Sequence, residues 1–133
     1  MADESLIRDK IRLMFATPGG DVEHAETLYH DDAVLEFPQS GERYDGREAF
    51  TAWRSQYPAE VGFQILRLTV RDGVAVVELS ASYDGGAPMY GVSIHEFRED
   101  RIFRERIYVA EGWDAPEWRK PWRSEKPVDN PGW

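Results

Sequence analysis

The chain contains no cysteine. Disulfides, thiolate nucleophiles and cysteine-ligated zinc are therefore excluded. It also has no apolar run long enough to cross a bilayer. Charge begins at residue 3 in MADESLIRDK, where a signal peptide would need an apolar core. Positive charge is scarce: 16 Lys and Arg stand against 25 Asp and Glu, for a net charge of −9. Such a surface repels a nucleic-acid backbone and an anionic membrane. Neither is expected as a partner, and a cytoplasmic location is the default. No phosphate loop, nucleophile elbow or dinucleotide fingerprint occurs. His24, His30 and His95 fall on different segments without metal-ligand spacing, so neither a metal nor a cofactor is expected.

What remains is an ordinary globular composition, 41% hydrophobic and 31% charged over 133 residues. That suits one domain, read here as residues 1–124 with a tail at 125–133. Ile7, Ile11, Met14 and Phe15 lie at helical spacing, and TPGGD ends that helix. Asp21 can cap a second helix carrying Val22, Ala25, Leu28 and Tyr29. HDDAVLEFP reads as a short strand closed by Pro38, and SGERYDG as a loop. A third helix carries Phe50, Trp53 and Tyr57, stopped by Pro58.

From residue 61 the apolar period becomes two. Val61, Phe63 and Ile65 alternate, then Leu66, Leu68 and Val70 on the other parity, which predicts a bulge. Strands follow over 74–83, 89–98 and 101–110, divided by DGGAP and RED. Helices first and antiparallel strands afterwards make an α+β fold, with three N-terminal helices on the concave face of a curved sheet.

The odd positions should face the helices: Ala75, Val77, Leu79, Ala81 and Tyr83 on one strand, Phe103, Ile107 and Val109 on another. His95 and Glu105 share that parity. A three-residue turn at 99–101 sets them directly opposite each other, with Cβ atoms roughly 5 Å apart. A turn over 84–88 sets Val77 beside His95 and Leu79 beside Ser93. Gly91, Ser93 and Ala81 are small and leave room there, so a pocket holding a His–Glu pair is expected.

ETLYHDDAVLEFPQSGERYDGREAF, followed by GVSIHEFRED, resembles the nuclear transport factor 2-like superfamily, and within it the SnoaL-like, polyketide cyclase-like branch. The resemblance covers residues from about 5 to 120, and GWDAPEWRKPWRSE is similar to a C-terminal extension found in one subgroup. It implies a cone-shaped sheet around a central pocket, and homodimers paired through the outer sheet face. Members include ketosteroid isomerases, cyclases, dehydratases, epoxide hydrolases and binding proteins without chemistry. The isomerases' general-base aspartate corresponds to Phe37 in LEFP, and their first-helix tyrosine has no counterpart in residues 3–16. Their second aspartate corresponds to His95 in IHEFR, and Glu105 matches another pocket position. Their own mechanism is therefore not expected here.

The candidate chemistry is His95 as general acid–base, with Glu105 fixing its tautomer. Tyr29, Phe37, Gln39, Trp53, Tyr83 and Ser93 are the candidate substrate-binding residues. An apolar carbonyl-bearing or polycyclic small molecule fits such a site. The expected reactions are isomerisation, cyclisation or dehydration without a cofactor. A structural His–Glu pair in a non-catalytic binding or scaffold protein is the alternative. Trp113, Trp118, Trp122 and Trp133 share their segment with Pro116, Pro121, Pro127 and Pro131, so it is not one long helix. It is expected to wrap the subunit or its partner.

Overall fold

A computed structural model describes residues 3–133. The first helix, α1 (Glu4–Phe15), starts where Asp3 accepts a hydrogen bond from the Leu6 amide at 2.8 Å. Ile7, Ile11 and Met14 form its buried stripe. Gly20 then brings the chain back against α1. A Cβ there would stand 2.5 Å from the Met14 carbonyl oxygen, so only glycine fits. Two single-turn helices follow, α2 (Gly20–Glu23) and α3 (Ala25–Leu28), where one helix was expected. His24, between them, leaves helical geometry at φ −108° and ψ 21°.

Strands β1 (Tyr29–Phe37) and β2 (Glu42–Asp45) form a hairpin. The SGERYDG segment expected as a loop therefore supplies a strand. Helix α4 (Arg47–Arg54) buries Phe50 and ends three residues earlier than the Phe50–Trp53–Tyr57 spacing predicts. Tyr57 lies beyond it and is 45% exposed. Four longer strands follow: β3 (Val61–Arg71), β4 (Val74–Tyr83), β5 (Met89–Arg98) and β6 (Arg101–Glu111).

The six strands are ordered β2-β1-β6-β5-β4-β3. The sheet is mixed, because β1 runs parallel to β6 while every other neighbouring pair is antiparallel. The chain's first strand thus lies beside its last. The β3 bulge falls where the parity switch predicts it, between Ile65 and Arg67. Its effect is to bury Ile65, Leu68 and Val70 on one face despite their mixed parity.

Two registers differ from expectation. The β4–β5 pairing is displaced by two residues: Ala75, not Val77, faces His95, and Val77 faces Ser93. A shift of two preserves side-chain parity, so the same residues stay inside. The β5–β6 turn is one residue shorter than expected, with Arg98 opposite Arg101. A bulge between Glu96 and Phe97 on this ladder restores the count, so His95 does face Glu105. That bulge turns Ile102 into the core in place of Phe103, which meets the Arg98 guanidinium outside at 5.9 Å.

The core lies between the inner sheet face and the helices, around Ile7, Leu28, Leu35, Phe50, Val77 and Ile102, each at most 1% exposed. The outer face carries charge ladders, including Arg106–Glu36 at 3.0 Å and Arg98–Asp32 at 2.8 Å. After β6 the chain runs as an exposed arm with one 3₁₀ segment, Glu117–Trp122. Trp113, Trp118 and Trp122 are 81%, 73% and 78% exposed. The arm is tied down at its far end, where Gly132 donates to the Leu66 carbonyl at 2.8 Å beside the β3 bulge. Among the described residues no helix is long and apolar enough to cross a membrane.

Candidate active site

The small residues on β4 and β5 and the breaks between the helices leave a cavity of about 330 Å³ inside the cone. That lies at the small end of the range of roughly 300–1,000 Å³ usual for ligand pockets. Its walls are mainly apolar, with Phe37, Trp53, Tyr57, Phe63, Tyr83 and Ile107 prominent. The aromatic rings abut in series: Phe37 and Trp53 centroids are 5.9 Å apart, Trp53 and Tyr57 6.4 Å, and Tyr57 and Tyr83 6.1 Å. Gly91 is part of the wall, and a Cβ there would stand 2.9 Å from the Tyr108 carbonyl oxygen.

Ser93, Glu105, Arg54, Asp21 and Glu60 bring polar groups to the wall. Glu105 is 2% exposed on the apolar face of β6, and a bare carboxylate there would be costly. It is surrounded by donors. Tyr29 donates its hydroxyl to Oε1 at 2.5 Å, and Arg54 donates to Oε2 at 2.9 Å. Nδ1 of His95 lies 3.2 Å from Oε1, off the line of a well-formed hydrogen bond. Arg54 also donates to the Tyr29 hydroxyl at 3.0 Å and lies 3.2 Å from an Asp21 carboxylate oxygen through Nε. Its guanidinium sits 5.3 Å from the Phe50 ring centroid.

These contacts set the charge states. Burial alone pushes the Glu105 carboxyl up, but the electrostatic pull of the adjoining His95 ring and of Arg54, with the hydrogen bond from Tyr29, outweighs it. The carboxyl is held well below the usual carboxylate range. Burial likewise opposes the Arg54 charge, and Tyr29, Glu105 and Asp21 more than offset it. The Tyr29 phenol is pushed well up, first by burial and, against Arg54, by Glu105 and Asp21. Glu105 is therefore a fixed anion and Tyr29 a fixed neutral donor.

His95 is fully buried and lies behind the cavity wall. Its Nε2 is 2.8 Å from the Ser93 hydroxyl, which lines the cavity. The imidazole thus reaches the cavity through Ser93, two residues before it on the same face of β5. Of the other candidates, Phe37, Trp53 and Tyr83 line the cavity. Tyr29 stands behind it, fully buried, as a partner of Glu105. Gln39 lies outside the lining: its side-chain amide both donates to the Val109 carbonyl at 2.8 Å and accepts from the Val109 amide at 2.7 Å. It ties the chain after β1 to β6.

Arg54 and Asp21 were not singled out from the sequence. The available signal was Glu105 itself, since an acid on an apolar strand requires a cation. The arginine on the apolar face of α4, four residues after Phe50, was the nearest candidate. Among the described residues no three His, Asp or Glu side chains are grouped to hold a metal ion.

A family model described as "SnoaL-like domain" matches residues 12–105. The fold is similar to that of an NTF-2 like protein of unknown function from Burkholderia xenovorans, at 36% identity over 93% of this chain and 98% of that one, with a TM-score of 0.84. A putative ketosteroid isomerase from Kribbella flavida superposes with a TM-score of 0.82 at 24% identity, covering 98% of this chain and 96% of that one. A putative polyketide cyclase from Sinorhizobium meliloti gives 0.64 at 25% identity, covering 75% and 94%. Comparison with curated proteins gives no match.

Proposed function

The chain belongs to the SnoaL-like domain family of NTF2-like proteins, and from that premise we propose that it is a cofactor-independent acid–base enzyme acting on an apolar, carbonyl-bearing small molecule. Isomerisation, cyclisation and dehydration are the reactions this reading covers. The observation that carries it is the chain of contacts from Glu105 through His95 to the Ser93 hydroxyl on the wall of an apolar cavity. Glu105 holds the imidazole, His95 stores the proton, and Ser93 passes it to or from the substrate. Phe37, Trp53 and Tyr83 hold the apolar body of the ligand, and the dry walls strengthen each electrostatic contact inside.

Non-catalytic ligand binding is the second reading. It is favoured by the full burial of His95 and by the bonding of its Nε2 to another protein group, the Ser93 hydroxyl.

One experiment divides the two. A panel of apolar cyclic ketones is incubated with the protein in D₂O, and exchange of the protons α to the carbonyl is followed by NMR. The first reading expects exchange above the buffer rate in wild type and its loss in His95→Gln. Binding in the cavity without exchange, by any ketone of the panel, would establish the second reading instead.

As a further part of this proposal, the protein pairs with a second copy through its outer sheet face. The exposed Tyr90 and Tyr108 on that face and the arm tryptophans supply apolar surface for such an interface.

A further inference from the structure

We infer that Ser93, His95 and Glu105 form a nucleophilic triad, and that the cavity cleaves small apolar carboxylic esters through an acyl–Ser93 intermediate. The inference rests on reading the cavity as a small-molecule site, and it assigns Ser93 a covalent role which proton transfer alone does not need. Three observations carry it. The Ser93 hydroxyl is 2.8 Å from His95 Nε2, and His95 Nδ1 is 3.2 Å from a Glu105 oxygen, the order of a serine–histidine–acid relay whose histidine–acid hydrogen bond is out of line here and must align when substrate binds. All three residues sit on adjacent antiparallel strands, and His95 and Glu105 are directly opposed, so the geometry is held by the backbone ladder. Ser93 alone of the Ser–His pair lines the cavity, and Gly91, two residues before it on the same strand face, is part of the same wall.

The steps balance without any oxidant or reductant. Ser93 Oγ attacks the ester carbonyl carbon, and its proton moves to His95 Nε2. The tetrahedral intermediate expels the alcohol oxygen, which takes that proton, leaving the acyl group on Ser93. Water then attacks the acyl carbon and gives its proton to Nε2. Collapse releases the carboxylic acid and returns the proton to Ser93. Arg54 is the one Lys or Arg among the described residues of the cavity wall, and in this proposal its positive charge stabilises the oxyanion that develops on the carbonyl oxygen. The size and apolar walls of the cavity restrict the ester to small hydrophobic acyl and alcohol groups.

Diisopropyl fluorophosphate and p-nitrophenyl butyrate test this with the full chain. The expected result is one phosphoryl adduct per chain by intact mass, mapped to Ser93, and a burst of p-nitrophenolate equal to the protein concentration. Ser93→Ala, which leaves the buried His95 Nε2 without its partner and so lowers Tm while the far-UV circular dichroism spectrum stays that of wild type, abolishes both. In His95→Gln labelling slows at least ~100-fold, the usual contribution of a general base. Should that variant fail to fold, the wild-type labelling rate must still rise with pH through one ionisation. An adduct elsewhere, no adduct, or a pH-independent rate would overturn the inference. Saturation-transfer NMR with cyclohexanone locates the failure. Binding in the cavity without labelling removes the triad and leaves the pocket reading intact, whereas neither binding nor labelling removes both.

Discussion

Replacing Arg54 with methionine keeps most of the side-chain volume and removes the charge. In the wild type Arg54 is 10% exposed and reaches Glu105 at 2.9 Å, the Tyr29 hydroxyl at 3.0 Å and Asp21 at 3.2 Å. Its loss leaves Glu105 ionised, 3% exposed and without its arginine. Breaking a buried pair by deleting one partner costs about 3–5 kcal/mol, out of a total stability of roughly 5–15 kcal/mol. An unfolding entropy of about 2.1 cal/mol/K per residue gives about 0.28 kcal/mol/K for 133 residues, so Tm should fall by about 10–18 °C.

Calorimetry at pH 7 measures that fall. Adding Glu105→Gln to Arg54→Met should cost less than the two single changes summed, with a coupling of about 1–3 kcal/mol, because the stranded charge is gone. Arg54→Lys should recover only part of the loss, since an ammonium cannot span three acceptors as a planar fork does. A fall below 3 °C for Arg54→Met, or strict additivity with Glu105→Gln, would refute the claim that these charges are mutually dependent and desolvated.

The Glu105 carboxyl is depressed in the folded state, so its contribution to stability is complete above the unfolded carboxyl pKa of about 4.3 and is lost as pH falls below it. Chemical denaturation from pH 6 down to pH 2 should show declining stability in wild type and a shallower decline in Glu105→Gln. Gly91→Ala should cost roughly 1–3 kcal/mol by urea titration, because the new methyl meets backbone, the Tyr108 carbonyl oxygen at 2.9 Å, which cannot swing aside. Changing Trp118 and Trp122 together to serine should leave Tm of the dilute protein within 2 °C, as both are solvent-facing. The same change should weaken self-association by sedimentation velocity if the arm is part of the dimer contact.

Much of the fold was legible because the period-two pattern after residue 61 is strong and one face is decisively apolar. The β3 bulge could be read directly, since Ile65 and Leu66 are consecutive apolar residues on opposite parities. The His95–Glu105 pairing was right for a partly wrong reason. A turn one residue shorter than expected and an extra residue at the bulge cancel, and side-chain alternation does not distinguish that from one longer turn. The β4–β5 slip by two was invisible for the same reason, as every side chain keeps its face.

Other features depend on contacts distant in sequence. The parallel β1–β6 join, with five steps along β1 against two along β6 between Tyr29 and Val34, leaves no local signature. Short β2 carries one half-buried residue, Tyr44, and reads as a loop. At the site, an ionisable residue on an apolar stripe marked Glu105 and His95. Asp21 was read locally as a helix cap, but it lies inside α2, whose N-cap is Gly19, and its place beside Arg54 follows from where α2 packs. Gln39 was assigned to the pocket from alternation continued past Pro38, but the strand ends at Phe37 and the side chain turns to the β6 backbone.

The adjacency of the first and last strands also imposes an order on folding. Tyr29 and Glu105 are 76 residues apart in the chain, yet each supplies the other's buried polar partner. On a ribosome, β1, β2 and α4 emerge long before the strand they must flank. Until β6 arrives, the edge of β1 that it covers is unpaired, Tyr29 lacks its carboxylate acceptor, and Arg54 has only Asp21 of its two carboxylates. The β3–β4–β5 meander can assemble from neighbours, but the half of the sheet that carries β1 and β2 waits for the end of the domain. Loop closure on this scale slows folding more than it lowers stability. A stall or truncation before residue 105 would yield a chain in which the β1–β2 hairpin has no complete β6 to join it to β5, and whose candidate active site lacks its carboxylate.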